Sequence, residues 1–274
     1  MATEKLLLAM DVGNTNTVLG VYAGEKLVAD WRLRTAREQT VDEYGILTRD
    51  LFRLAGMAHA RIEGVVIASV VPPLNTTLAQ MSERYFNRTA VFVSPTEPQI
   101  MPVLYDNPLE VGADRIANGI AAYAKYGGPC IVVDFGTAIN FDVVSRSGEY
   151  MGGVLAPGIG IAADALSARA ARLFRVEISD PGEIIGTNTA RSLQAGFYYG
   201  FVGMVDGILE RLKTELGART RIVATGGQAA LIAKGSKYIE AVDEHLTLDG
   251  LRLYWNQTKS GRGKQKASLR SHKK

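Results

Sequence analysis

The chain repeats one short pattern: an uninterrupted apolar run that ends in an aspartate, then one residue and a glycine. The first copy closes with Asp11 and Gly13, and the second closes with Asp134 and Gly136. Such a run is typical of a strand buried on both faces, so each aspartate stands at the end of a buried strand. Because strands and helices are expected in a similar order after each copy, the repeat predicts two similar α/β halves.

Each half is predicted to start with a three-stranded meander and to continue with helices and further strands. Apolar runs between turn residues indicate the strands, and apolar residues spaced three or four apart indicate the helices. In the first half the predicted strands are Leu6–Met10, Thr17–Tyr22, Leu27–Leu33, Gly64–Val71 and Ala90–Val93, and the helices are Asp42–Leu54 and Leu74–Phe86. In the second half the strands start near Ile131, Phe141, Tyr150 and Arg221, and the helices are Ile159–Leu173, Thr189–Leu216 and a final one opened by Gly226 and Gly227. We expect domains at 1–111 and 112–255 and a tail at 256–274.

Composition limits the class of protein. Hydrophobic residues make up 47% and charged residues 22% of the chain, as in ordinary soluble globular proteins. The single cysteine, Cys130, excludes an internal disulfide and a zinc site built on cysteines. No apolar stretch approaches the ~18 residues of a membrane span, and no secretory signal precedes the first strand. The sequence therefore predicts a cytoplasmic protein with no membrane partner.

The basic residues are concentrated at the C-terminal end. Residues 256–274 contain five lysines, two arginines and no acidic residue, so the net charge of +3 hides a mildly acidic body. A body that binds nucleic acid would need a basic face, and we therefore expect no nucleic-acid partner. The tail has no periodicity and is predicted to be disordered, with a weak contact to nucleic acid or a membrane as the alternative.

The turn after each repeated strand has the composition of a phosphate-binding loop. In residues 11–17 the glycine allows close backbone approach, and the Asn and Thr residues can donate hydrogen bonds. An Asn-rich hairpin turn explains this first copy equally well. The second copy, Asp134–Ala138, favours phosphate binding, because two such loops can clamp a polyphosphate and their aspartates can hold hydrated Mg²⁺ or another cation. A third glycine turn, Thr225–Gly227, lies before a predicted helix whose N-terminus also suits a nucleotide.

One carboxylate is a candidate for proton transfer. The chain has no Walker-type loop and no protein-kinase motif set, and a phosphotransferase without them works by positioning, with a carboxylate that takes the acceptor's proton. Asp114 stands where the apolar spacing of a predicted helix begins, so it is either this base or an acid favoured by the helix dipole. Arg115 beside it suits an anionic substrate or a surface ion pair.

Six short motifs follow one another in the order found in type III pantothenate kinases. They are Asp11–Thr15, Tyr105–Pro108, Gly112–Arg115, Asp134–Ala138, Gly152–Gly158 and Asn188–Thr189. Over about residues 6–253 the chain resembles this family, which belongs to the acetate kinase, sugar kinase, Hsp70 and actin superfamily. The resemblance implies two ribonuclease H-like, actin-like α/β halves with the active site in a cleft between them. It also implies transfer of the γ-phosphate of ATP to pantothenate, which is the first step of coenzyme A biosynthesis.

The resemblance also implies roles for individual residues. Those implied to contact the nucleotide are Asp11, Val12, Gly13, Asn14, Thr15, Asn16, Thr17, Val18 and Thr137. Those implied for the pantothenate pocket are Tyr105, Gly112, Ala113, Asp114 and Arg115, with Asp114 as proton acceptor, and Thr189 reached across a dimer interface. Asp134 resembles the ligand of a monovalent cation, K⁺ or NH₄⁺, which would offset phosphate charge where lysine is missing. The implied cofactors are therefore ATP with Mg²⁺ and this cation.

The sequence departs from the family after the second loop, and two rival functions stay open. The family often has two threonines where this chain has Ile139 and Asn140, so the second phosphate and cation site is expected to differ in detail. One rival is a kinase for another small hydroxy substrate, which the segment Gly112–Arg115 argues against. The other is a non-catalytic nucleotide-binding regulator similar to a Bvg accessory factor, which the intact aspartates argue against.

Glycines in the long predicted helix suggest a close packing partner. Gly196, Gly200, Gly203 and Gly207 lie on one helix face. Each costs about 1 kcal/mol relative to alanine, so we expect something to pack closely there. Another element of the same subunit and a helix of a partner subunit explain the stripe equally well. The resemblance favours the partner, and we therefore expect a homodimer.

Overall fold

The chain divides into two compact units, each built on a five-stranded mixed sheet. Unit 1 comprises residues 1–121 and 247–274, and unit 2 comprises residues 122–246. The structure is a computed structural model, and it describes residues 5–97 and 99–271.

The sheet of unit 1 has the strand order β3-β2-β1-β4-β5. Strand β1 pairs antiparallel with β2 and parallel with β4, because a hairpin joins the first pair and a helix crosses over between the second. The central strands are buried along most of their length, whereas the edge strand β3 alternates between exposed and half-buried side chains. The five strands are β1 (Leu6–Val12), β2 (Asn16–Ala23), β3 (Lys26–Arg34), β4 (Ile62–Ser69) and β5 (Val91–Phe92).

Two helices of unit 1 begin at clear local signals. Helix α1 (Val41–Leu54) starts with a capping box, in which the amide of Glu43 donates to the hydroxyl of Thr40 and the amide of Thr40 donates to the carboxylate of Glu43. Helix α2 (Pro72–Phe86) carries two prolines at its first positions, where no intrahelical N–H bond is lost. Both helices bury apolar side chains in the core of unit 1. Helix α3 (Ala113–Tyr126) begins in unit 1 and ends in unit 2.

Unit 2 repeats the topology of unit 1. Its strand order is β8-β7-β6-β9-β10, with β6 antiparallel to β7 and parallel to β9, as β1 is to β2 and β4. The five strands are β6 (Cys130–Phe135), β7 (Ala138–Val144), β8 (Tyr150–Pro157), β9 (Arg221–Gly226) and β10 (Ala241–Val242). The prediction of two similar α/β halves is therefore confirmed.

The helices of unit 2 match the predictions except after β9. Helix α4 (Ile159–Arg169) is shorter than predicted, and α5 (Thr189–Leu216) has the predicted bounds. The glycine turn after β9 leads only into α6 (Ala229–Ala233), five residues long, so the prediction of the final helix there is wrong. The final helix is α7 (Leu246–Ser271).

Helix α7 belongs to unit 1, and the division of the chain differs from the predicted one for this reason. Its buried residues Leu248, Leu251 and Tyr254 form an apolar face, and the hydroxyl of Tyr254 accepts a hydrogen bond of 3.1 Å from the amide of Ser94. The units change at residues 121/122 and 246/247 rather than once at residue 112.

The segment for which the sequence predicts a disordered tail, 256–274, is largely the end of this helix. Helix α7 continues to Ser271, and residues 272–274 lie outside the described residues. Extending an existing helix needs no new nucleation, a factor that composition alone does not reveal. Within the described part of the chain, no helix is both long and apolar enough to cross a membrane.

Candidate active site

The first predicted phosphate loop is the turn of the hairpin between β1 and β2. Its closing bond runs from the amide of Gly13 to the carbonyl of Asn16, at 3.0 Å. The turn residues Asn14, Thr15 and Asn16 are exposed, and Asp11 at the end of β1 is half-buried. The loop thus presents polar groups at the carboxyl end of β1, as the sequence predicts.

Two residues assigned to the nucleotide face the protein interior instead. The side chains of Val12 and Thr17 are 0% exposed. Any contact that they make to a nucleotide is therefore limited to their backbone groups. Their strands lie inside the sheet and are buried on both faces along most of their length.

A residue that sequence reasoning missed connects this loop to the end of β3. The hydroxyl of Thr35 donates to the carbonyl of Gly13 at 2.7 Å, and the amide of Thr35 donates to the carbonyl of Thr15 at 3.0 Å. Near it, a guanidinium nitrogen of Arg37 donates to the side-chain oxygen of Asn14 at 3.0 Å. The segment after β3 is polar and carries no motif. The position of Thr35 beside the loop follows from the register of β2 and β3, which cannot be read from the sequence.

The second predicted loop joins β6 and β7 in unit 2. Asp134 pairs with Asn140 across β7 and with Thr225 across β9. A Cβ atom built at Gly226 would lie 2.6 Å from Oδ1 of Asp134, and the φ angle of Gly226 is +91°. Glycine is therefore needed beside this carboxylate for both space and backbone conformation.

The departure at Ile139 and Asn140 has a simple structural meaning. Ile139 is 1% exposed and packs in the core of unit 2. Asn140 lies directly opposite Asp134, and cross-strand partners share one face of a sheet, so its amide is on the side of the carboxylate. Thr137, at the tip of the turn, is exposed.

The candidate base stands at the start of α3. The backbone amide of Arg115 donates to Oδ1 of Asp114 at 2.8 Å. Burial raises the pKa of Asp114, while that amide and the charge of Arg115 act in the opposite direction. A raised pKa brings a carboxylate closer to the basicity that proton transfer near neutral pH requires. Arg115 is itself only 7% exposed.

The start of α3 lies beside the carboxyl ends of β1 and β4. The amide of Val70, which follows β4, donates to the carbonyl of Val12 at 3.1 Å. A Cβ atom built at Gly112 would lie 3.3 Å from Cγ1 of Val70. Val70 is thus the bridge that brings the first loop and the Gly112–Arg115 segment to one edge of the sheet. Tyr105, in the segment before α3, is half-buried in the same unit.

Thr189 is the first residue of α5 in unit 2, and it is exposed. The side chain of Asn188 caps this helix by accepting a hydrogen bond of 2.9 Å from the amide of Arg191. A cavity of about 510 Å³ opens beside the helix start, lined by residues that include Asp180, Glu183 and Arg191. The predicted site residues are therefore distributed as Asp11–Val18, Tyr105 and Gly112–Arg115 in unit 1 and as Asp134, Thr137 and Thr189 in unit 2.

Solved structures with a similar fold fit this arrangement. The chain is similar to a putative 2-dehydro-3-deoxygalactonokinase from Sinorhizobium meliloti, with a TM-score of 0.57, 12% identity, and coverage of 94% of this chain and 96% of that one. It is also similar to a conserved putative Baf family transcriptional activator from Campylobacter jejuni, with a TM-score of 0.56, 20% identity, and coverage of 93% and 99%. At these identities the likeness concerns the fold alone.

The two sheets share one mixed topology, with a polar turn after each first strand, and the half-buried carboxyl group of Asp114 stands at the start of α3. Sequence comparisons place a chain with these features among the ATP-dependent kinases. A sequence model described as type III pantothenate kinase matches residues 7–211. Type III pantothenate kinases of Koribacter versatilis and Solibacter usitatus are 57% and 53% identical, covering 95% and 92% of this chain and 98% and 97% of theirs. The chain belongs to the type III pantothenate kinase family.

Proposed function

We propose that this chain transfers the γ-phosphate of ATP to the primary hydroxyl group of pantothenate, giving ADP and 4′-phosphopantothenate. The observation that carries this is the Val70 bridge, which joins the first phosphate loop to the start of α3. A donor phosphate held by that loop and an acceptor hydroxyl beside Asp114 are then neighbours at one sheet edge. Transfer by positioning, with no Walker-type lysine, requires such proximity.

The nucleotide is held by the loop of unit 1. Its exposed residues Asn14, Thr15 and Asn16 offer amides and side-chain donors to phosphate oxygens. The half-buried carboxylate of Asp11 next to them is a hard oxygen ligand of the kind that Mg²⁺ prefers. Mg²⁺ bound with ATP neutralises phosphate charge, and Asp11 orients that complex directly or through water. Thr137, exposed at the turn between β6 and β7, is a further nucleotide contact that the resemblance to the family supports.

The acceptor is activated by Asp114. The pantothenate oxygen bonds to the γ-phosphorus while the bond from that phosphorus to the ADP oxygen breaks, and the hydroxyl proton passes to the carboxylate of Asp114. Burial raises the pKa of Asp114, which makes it a better proton acceptor than an exposed aspartate. Arg115 neutralises the carboxylate of pantothenate, and Tyr105, Gly112 and Ala113 shape the pocket around it.

A monovalent cation, K⁺ or NH₄⁺, binds at Asp134. The support is the set of oxygen atoms at the end of β6: Oδ1 of Asp134 and the carbonyl of Phe135 both lie close to Gly226, and the polar side chain of Asn140 lies across the strand pair. Oxygen donors of this kind suit a weakly hydrated cation. In the family that the chain resembles, a cation at this position offsets phosphate charge in place of a lysine, and we assign the same role to a cation at Asp134.

The enzyme is a homodimer that packs through α5. Apart from the neighbouring residues and backbone of α5 itself, no described atom lies within 4 Å of a Cβ atom built at Gly196, Gly200 or Gly203, which disfavours the packing of another element of the same subunit. Gly196 and Gly200 border a groove of about 340 Å³ whose apolar lining is Leu166, Leu193, Phe197, Phe201 and Met204. A second copy covers this face and contributes Thr189 to the pantothenate pocket. Because ATP is the donor, we also propose a cytoplasmic location.

A coupled ADP-release assay tests the proposal. Purified protein with Mg²⁺, ATP and pantothenate is expected to release ADP at a rate that depends on pantothenate and rises with K⁺. A panel of sugars and short hydroxy acids serves as the control for acceptor identity. Turnover with a panel member but not with pantothenate would assign another substrate, and nucleotide binding without turnover on any acceptor would favour a non-catalytic regulator.

A further inference from the structure

One residue outside the β1–β2 turn, which carries the proposed nucleotide-binding groups, holds that turn by hydrogen bonds. We propose that Thr35, the first residue after β3, is a positioning residue for ATP binding. It makes three hydrogen bonds to the turn: with the carbonyl of Gly13 at 2.7 Å, with the carbonyl of Thr15 at 3.0 Å, and with the hydroxyl of Thr17 at 2.9 Å.

The direction of the two hydroxyl protons follows from the acceptor. A carbonyl oxygen can only accept, so the hydroxyl proton of Thr35 is committed to Gly13. The bond of 2.9 Å between the hydroxyls of Thr17 and Thr35 must then use the proton of Thr17. Thr17 is 0% exposed and its only hydroxyl proton is engaged, so this side chain supports the loop and does not donate to a phosphate.

These bonds determine where the amides of the loop point. In a planar trans peptide the C=O and N–H groups point in opposite directions. Thr35 holds the carbonyls of Gly13 and Thr15, so the amides that share those peptide groups, of Asn14 and Asn16, point away from Thr35. Amides with this orientation can donate hydrogen bonds to a phosphate. Thr35 sets the orientation by holding the carbonyls of Gly13 and Thr15.

The burial of the contact explains why the loop depends on it. Thr35 is 9% exposed, so water does not readily replace its hydroxyl group. Valine has nearly the same shape but leaves the carbonyl of Gly13 and the hydroxyl of Thr17 without this partner, which is unfavourable in a buried place. We expect the turn to relax toward a conformation in which those groups reach water, and the amides to lose their alignment.

The proposal rests on the proposed use of this loop for ATP, and a binding measurement separates the two. Affinity for Mg-ATP is measured by calorimetric titration without pantothenate, for the full chain and for Thr35→Val and Thr35→Ser. We expect Thr35→Val to weaken ATP binding about tenfold, and Thr35→Ser, which keeps the hydroxyl group, to stay within about threefold of the original protein. The KM for pantothenate should stay unchanged in both.

A matched control is available in the same unit. Thr48 is also fully buried, and its hydroxyl donates at 2.7 Å to the carbonyl of Tyr44 within α1, away from the loop. Thr48→Val should lower the melting temperature as Thr35→Val does, but leave ATP affinity unchanged. If Thr35→Val melts below the assay temperature, Thr35→Ala replaces it under the same criteria.

Two results would overturn the proposal: ATP affinity of Thr35→Val equal to that of the original protein, or a loss of affinity that Thr35→Ser and Thr48→Val share. Failure of the proposed function gives a different result. The unchanged protein would then bind ATP with the expected dependence on Thr35 but would not phosphorylate pantothenate.

Discussion

Gly112 leaves the space that the carboxyl group of Asp114 occupies. A Cβ atom built at position 112 would overlap Oδ1 of Asp114 and would also press on Val70, which bonds to the end of β1. Position 112 therefore needs glycine for its small size. The absence of a side chain at Gly112 thus helps to set the orientation of the Asp114 carboxylate, which we propose as the base.

Gly112→Ala should lower kcat more than it lowers stability. The added methyl group forces the carboxylate of Asp114 to rotate or shift, and a displacement of about 1 Å at a reacting group costs up to about a hundredfold in rate. Steady-state kinetics should show a fall in kcat of about tenfold to a hundredfold with little change in the KM for ATP. Gly160→Ala is the control, since a Cβ atom at Gly160 meets nothing within 4 Å. Equal kcat values for the two variants would contradict the assigned role.

Asp114→Asn should lose activity and gain stability at neutral pH. Without a carboxylate to accept the proton, kcat is expected to fall by about 10²–10⁴-fold. The folded-state pKa of Asp114 is raised by burial, so its protonated form stabilises the fold at low pH and this stabilisation is lost as pH rises through that pKa. Asparagine stays neutral at every pH, so the melting temperature should exceed that of the original protein at neutral pH.

The stability gain has its own checks. It should shrink as the pH falls through the raised pKa of Asp114, because the carboxyl group then takes up its proton. Asp30→Asn, at an exposed position of β3, is the control and should show no such gain. An Asp114→Asn protein that is inactive and also less stable at neutral pH would indicate a structural role for the carboxylate instead.

The rate of the original enzyme should fall as the solution becomes acidic, at a higher pH than for an exposed aspartate. The base works only when ionised, and burial of Asp114 moves its protonation to higher pH. A profile of kcat against pH should therefore show an acidic limb. Residual turnover of Asp114→Asn, measured at high enzyme concentration, should lack that limb. Identical profiles for both proteins would assign the limb to another group.

The sequence predicts the strands and the duplication well because the information is local. The runs that end at Asp11 and Asp134 are buried on both faces, and buried strands read as continuous apolar segments. Helix α7 was not predicted, although Leu248, Leu251 and Trp255 have helical spacing. Its return to unit 1 depends on contacts with residues that lie more than a hundred positions earlier, which no local pattern reports.

The site residues that belong to sequence motifs could be predicted, but their burial could not. The resemblance supplied Asp114 and the turn from Asp11 to Val18, but it could not separate Asn14, which is exposed, from Thr17, which is buried. Thr35 was missed because its contact with the loop depends on the register of β2 and β3. In the sequence it is only a threonine that follows an edge strand. Roles set by burial and register need coordinates, whereas roles set by residue type do not.

Asp134→Asn should weaken activation by K⁺. Removing the negative charge lowers the affinity for a cation, and the K⁺ concentration for half-maximal rate should rise roughly tenfold. Choline chloride at equal ionic strength is the control for screening. Gly226→Ala, which would place a Cβ atom 2.6 Å from Oδ1 of Asp134, should act in the same direction. If K⁺ and choline changed the rate equally in the original enzyme and in both variants, Asp134 would not be the ligand of an activating cation.

Gly200→Leu should convert a dimer into monomers and lower activity. Outside the adjoining backbone of α5, a Cβ atom at Gly200 meets no described atom within 4 Å, so the leucine can fit in a monomer but would block a helix packed against α5. Sedimentation at micromolar concentration should show the change in mass, and the KM for pantothenate should rise because the second copy would no longer supply Thr189.

Glu215→Leu, at an exposed position near the end of α5, controls for an added apolar side chain and should remain dimeric. Gly200→Ala discriminates further: in a monomer it would stabilise the helix by about 1 kcal/mol, whereas close packing of a partner helix would cancel this gain. A Gly200→Leu protein with unchanged mass and turnover would leave this face without a partner subunit.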